Sequence, residues 1–148
     1  MVHFAKGKYE RVSEENFEEL LETLNVNYLF RIAALASTPQ MEVTEDKGVW
    51  TIKVSTILKS ITLKFRVNEP FDEVTPDGRE VSSIASIQGN KFIMFQNAKQ
   101  IHQKSIRSIS EFTEYGCIHT IEVIGSGVTC IQNYKRFFSY MSSLKVEP

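Results

Sequence analysis

The chain has 148 residues, 42% hydrophobic and 11% aromatic, with 17 basic against 18 acidic residues and a formal charge of -1. That length and apolar content support one domain with a sizeable core over residues 1–148 and exclude a disordered tail or a multi-domain enzyme. The balanced charge, massed nowhere in a run, excludes a binder of phosphate backbones, and the two cysteines, Cys117 and Cys130, are too few to staple a secreted scaffold.

No apolar signal region opens the sequence, and no window approaches the roughly 20 apolar residues of a membrane span. A soluble cytoplasmic protein is the expectation. Phe4 to Val12 is the first predicted strand. From Ser13 the period changes, with Phe17, Leu20, Leu21 and Leu24 at helical spacing and Glu18, Glu19 and Glu22 on the opposite face. This predicts an amphipathic helix with Ser13 as its N-cap and Glu14 and Glu15 set against its dipole. After a break at Asn25 to Asn27, Leu29, Ile32, Ala33 and Ala36 predict a second helix, ended by Pro39.

Beyond Pro39, turn signals punctuate short β-rich runs every eight to twelve residues. The runs are Met41 to Thr44, Val49 to Ser55, Ile61 to Val67, Phe71 to Val74, Val81 to Ile87, Lys91 to Gln96, Ile106 to Phe112, Cys117 to Ile124 and Val128 to Phe137. With the first strand this makes about ten, mostly hairpin-linked. An antiparallel meander of this length has two edges to manage, and closure into a barrel removes both. The two helices then cap one end, and the interior is either filled with side chains or encloses a small ligand.

Several ordered motifs resemble those of the intracellular lipid-binding proteins, the family of fatty-acid-binding and cellular retinoid-binding proteins. Phe4-Ala5-Lys6-Gly7-Lys8-Tyr9 resembles the family's opening, and Glu15-Asn16-Phe17 its helix entry. Leu24-Asn25-Val26-Asn27 followed by Arg31 resembles the turn into its second helix, with Asn25 where glycine is usual. The stretch Phe65 to Arg79, with Thr75-Pro76-Asp77-Gly78-Arg79 at its end, is the most specific, and the likeness spans residues 4 to 136. The resemblance implies an all-β, ten-stranded up-and-down antiparallel barrel with a helix-turn-helix lid between the first two strands. It also implies a non-enzymatic carrier, without cofactor, that holds a long-chain fatty acid or retinoid in a water-containing cavity.

Family members anchor a ligand carboxylate with an Arg-x-Tyr pair on the last strand and a second arginine two strands earlier. A guanidinium suits the task through bidentate, charge-assisted hydrogen bonds. Here the tyrosine survives as Tyr134, but the arginine positions hold Gln132 and Ser110. By strand alternation Gln132, Tyr134, Ser110 and Phe112 face inward while Arg107 and Glu111 face outward, and only a β-bulge would bring Arg107 inside. An amide and two hydroxyls suit a neutral or protonated head group, so retinol-like lipids are expected to bind at least as tightly as matching carboxylates. A satisfied internal polar network is the competing reading.

Phe17, Leu21, Leu58, Ile61, Leu63, Phe65 and Phe112 are the expected inward apolar residues, with Phe17 and Leu58 where the family lines its portal. Plain core packing is equally expected of Ile61, Leu63 and Phe65. Lys6, Lys8, Arg31, Phe30 and Leu35 would serve a transient membrane contact through the lid, against the acidic face of the first helix. His3, His102 and His119 have no partner at metal-ligand spacing. Cys117 and His119 share a strand face, but nucleophilic catalysis would need a third orienting group. The tail from Phe137 to Pro148 is apolar enough to pack against the barrel or a partner. A monomer is expected, with a membrane-associated interaction protein of the same fold as the alternative.

Overall fold

A computed structural model of the chain describes residues 5–57 and 59–137. The elements run β1 (Gly7–Glu15), α1 (Phe17–Thr23), α2 (Tyr28–Ala36), β2 (Gln40–Asp46), β3 (Val49–Ser55), β4 (Ser60–Arg66), β5 (Phe71–Val74), β6 (Glu80–Gln88), β7 (Lys91–Ala98), β8 (Ile106–Phe112), β9 (Gly116–Val123) and β10 (Val128–Arg136). All ten strands form one antiparallel sheet in the order β4-β3-β2-β1-β10-β9-β8-β7-β6-β5. The β1–β10 ladder joins the first strand to the last, and the sheet curls into a barrel whose edges, β4 and β5, have no ladder between them among the described residues. The expected barrel with a helical pair between its first two strands is therefore the fold.

Two local expectations are corrected. β1 extends to Glu15, and its ladder pairs Ser13, Glu14 and Glu15 with Asn133, Gln132 and Ile131. A run of ladder hydrogen bonds outweighs the ~1 kcal/mol of a helix cap, so Ser13 is no N-cap and the two glutamates are strand residues. The N-cap of α1 is Asn16, left-handed at φ 60°, whose side chain donates to the Thr129 carbonyl oxygen at 3.1 Å instead of capping the helix. Asn25 also lies in the left-handed region at φ 62°, which asparagine tolerates better than other residues with a side chain. The second helix is as expected, with Asn27 Oδ1 accepting from the Phe30 amide at its N-terminus.

One core gathers Tyr9, Trp50, Phe65, Phe92 and Phe112 with Met41, Val43 and Ala85. Its rings meet edge to face, Trp50 and Phe92 at 4.9 Å and Phe92 and Phe112 at 5.3 Å between centroids. A second cluster packs Leu20 of α1 on Val123 and Cys130, with Phe17, Leu24 and Ile121 around it, which seats the lid. The Thr75 to Arg79 motif builds the β5–β6 turn: Arg79 Nε donates to Asp77 Oδ2 at 2.7 Å, and its Nη1 donates to the Lys104 carbonyl oxygen at 2.7 Å. Burial alone would raise the Asp77 carboxyl, but hydrogen bonds from Arg79 and Thr75 more than offset it and hold the group below its usual range.

Candidate ligand site inside the barrel

Strand register decides which side chains meet inside. Ser110 lies opposite His119, His119 opposite Gln132, and Gln132 opposite Glu14, one row across β8, β9, β10 and β1. The next row runs Phe112, Cys117, Tyr134, Arg11. The three expected head-group residues, Gln132, Tyr134 and Ser110, thus share the inner face of the sheet, on the two strands that flank β9. Gln132 is 6% exposed and Tyr134 9% exposed, and neither side chain has a hydrogen-bond partner among the described residues. Burial raises the Tyr134 hydroxyl to about 12, slightly countered by the Arg11 charge, so it remains a donor at neutral pH.

Ser110 is already engaged, with its Oγ 2.7 Å from His119 Nδ1. Burial lowers His119 to about 4, so the imidazole is neutral at pH 7. With the serine as donor its proton sits on Nε2, available to an acceptor in the interior. Burial also pushes the Cys117 thiol up to about 12, and a thiol held protonated lacks the nucleophilic form.

The β8 register is unbroken against both β7 and β9, so no bulge turns Arg107 inward. It lies outside, 3.8 Å from Glu122 and over the ring of Phe95. The interior nonetheless holds a cation that the sequence analysis overlooked. Arg11, inward on β1 and 7% exposed, stands directly across from Tyr134. The signal was available: alternation from the inward Tyr9 puts Arg11 on the same face.

Among the expected apolar residues, Phe65 and Phe112 are buried within the aromatic core, and Leu21 is buried under the lid. Ile61 and Leu63 sit on the inward positions of β4 and are only partly buried, and Phe17 is partly buried beneath α1. Leu58 lies outside the described residues, as do Phe4, His3 and the tail from 138 to 148. Ile52, Val54, Leu63, Ile87 and Met94 face inward against the aromatic core and are only partly buried. On the lid, Tyr28 is 64% and Leu29 77% exposed, and α2 buries no residue.

No protein-family model matches the sequence. A fatty acid-binding protein of Tyrophagus putrescentiae is 34% identical over 131 residues, 88% of this chain and 95% of that protein. Cellular retinoic acid-binding protein 1 of Homo sapiens is 38% identical over 104 residues, 69% of each. A solved fatty acid binding protein of Schistosoma mansoni in complex with arachidonic acid superposes with a TM-score of 0.84 at 26% identity, over 93% of this chain and 98% of that one. With this identity over nearly its whole barrel and the same arrangement of strands and lid, the chain belongs to the intracellular lipid-binding protein family, that of the fatty acid-binding and cellular retinoic acid-binding proteins.

Proposed function

We propose that this protein is a non-enzymatic cytoplasmic carrier that holds a long-chain fatty acid or retinoid inside the barrel, its head group on Gln132, Tyr134 and Ser110 with His119 beside them. The observation that carries this reading is the pair of inward, deeply buried polar groups on β10, the Gln132 amide and the Tyr134 hydroxyl, whose hydrogen-bonding capacity no described residue uses. Partly buried apolar side chains such as Leu63, Ile87 and Met94 offer the tail its surroundings. Relatives named for binding fatty acid and retinoic acid, and a structural neighbour in complex with arachidonic acid, support the ligand class.

A second reading, a membrane-associated interaction protein of the same fold, draws on the exposed Tyr28, Leu29, Phe30 and Ile32 of α2 and on Ile57. In the carrier reading this patch serves transient membrane contact during lipid exchange by a monomer. Native mass spectrometry of delipidated protein with oleic acid and with retinol separates the two. The carrier reading expects a retained one-to-one lipid complex. Binding to vesicles with no lipid retained by the protein would favour the second.

A further inference from the structure

Glu14 joins Arg11 inside the barrel because of a β-bulge. The β1–β10 register steps from Arg11 opposite Tyr134 to Ser13 opposite Asn133, leaving Val12 unpaired, so that Glu14 comes to face Gln132 on the inner side. Strict alternation would have sent Glu14 outward. The bulge therefore sets an acid and a base side by side, Arg11 Nε and Glu14 Oε2 being 3.1 Å apart.

The two partners are unequally committed. The Arg11 side chain is 5% exposed and that of Glu14 28%. Arginine keeps its charge at any accessible pH, so at that depth it must be paired. Its Nη2 donates to the Ser37 carbonyl oxygen at 3.0 Å, and its plane lies over the Phe17 ring at 4.9 Å. Its Nη1 has no hydrogen-bond partner among the described residues. The contact with Glu14 is longer than the 2.7 Å pair that Arg79 makes with Asp77. Glu14 can return to water, and Arg11, tied to the Ser37 carbonyl at the C-terminal end of α2, cannot.

We propose that Arg11 is the anchor for an ionised lipid carboxylate, which takes the place of Glu14 on the guanidinium and receives a second hydrogen bond from Tyr134. This rests on the carrier reading above and assigns its ligand to the acids. It relocates the cation from the last strand, where Gln132 now stands, to the neighbouring β1. The exchange conserves charge inside the barrel, because one carboxylate leaves the guanidinium as another arrives. An alcohol has no such exchange: displacing Glu14 with a neutral hydroxyl would leave the guanidinium unpaired, so it binds beside the intact ion pair.

The test compares oleic acid with oleyl alcohol on the delipidated full chain by titration calorimetry, in the unmodified protein and in Arg11→Met and Glu14→Gln. The unmodified protein is expected to prefer the acid. Arg11→Met is expected to weaken the acid by about tenfold or more and the alcohol by less than about threefold. Glu14→Gln is expected to tighten the acid severalfold, since it removes the internal competitor; a purely structural ion pair would give no gain. The Arg11 Nε–H resonance of arginine-labelled protein should move on adding the acid and stay on adding the alcohol. If Arg11→Met fails to fold, Glu14→Gln and the resonance still decide. Equal binding of acid and alcohol, with neither changed by Glu14→Gln, would overturn the anchor while leaving the carrier reading in place. Binding of neither lipid would overturn both.

Discussion

Ser110 and His119 face each other across the β8–β9 ladder with Oγ and Nδ1 2.7 Å apart, so one expected head-group residue is an end of a neutral hydrogen-bonded pair. The neutrality has a measurable consequence. The imidazole ordinarily takes a proton near 6.5 but in the folded barrel only near about 4, because burial penalises its charged form. Between these values the unfolded chain binds more protons than the folded one, so stability rises with pH. It is complete above about 6.5, declines as pH falls through that value and bottoms out below about 4. The full span is worth at most roughly 3 kcal/mol. Urea unfolding at a series of pH values should show this slope, and His119→Gln should flatten it. An unchanged slope in the variant would place the titration elsewhere.

The conversion of Gln132 to arginine is expected to raise affinity for oleic acid relative to oleyl alcohol by about tenfold, through a second charge-assisted contact beside Tyr134. Competition with a fluorescent lipid reads both affinities. No change in their ratio would mean that the head group does not reach β10.

Core and cavity residues should separate by two readouts. Phe112 is fully buried between Tyr9 and Phe92, so Phe112→Ala is expected to cost about 3–5 kcal/mol of folding stability. Ile61 and Leu63 are partly buried and border the interior, so their alanine variants are expected to cost less stability and to weaken lipid binding instead. Denaturant curves and lipid titrations on the same variants check the split, and an equal stability loss at all three positions would make Ile61 and Leu63 ordinary core.

Asn25 at φ 62° in the turn between the helices tests the backbone argument. Asn25→Gly is expected to be neutral or slightly stabilising, and Asn25→Val to cost about 1–2 kcal/mol because a β-branched side chain resists the left-handed region. A thermal melt distinguishes them. Gly116 is a second such position for a different reason: a Cβ there would overlap the Tyr134 carbonyl oxygen, so Gly116→Ala is expected to cost about 1–3 kcal/mol and to disturb the strand that carries Tyr134.

The barrel was legible in the sequence because turn signals punctuate short β-rich runs from Met41 onward, and turn chemistry is a local property. Strand alternation put Gln132, Tyr134 and Ser110 inward and Arg107 outward, and an unbroken β8 register kept them there. The first strand was less legible. Its last three residues carry helix-capping chemistry, and only the pairing with β10, more than a hundred residues away, makes them a strand. The bulge at Val12 is set by that same distant pairing, so Glu14 could not be placed inside from sequence. Arg11 could have been, by counting two residues on from Tyr9.

A crystal structure of the protein with a bound long-chain fatty acid would locate the head group outright. The acyl chain is expected to lie within the barrel with a carboxylate oxygen about 2.5–3.2 Å from the Tyr134 hydroxyl. A lipid whose head group lies at the lid, away from Tyr134 and Gln132, would contradict it.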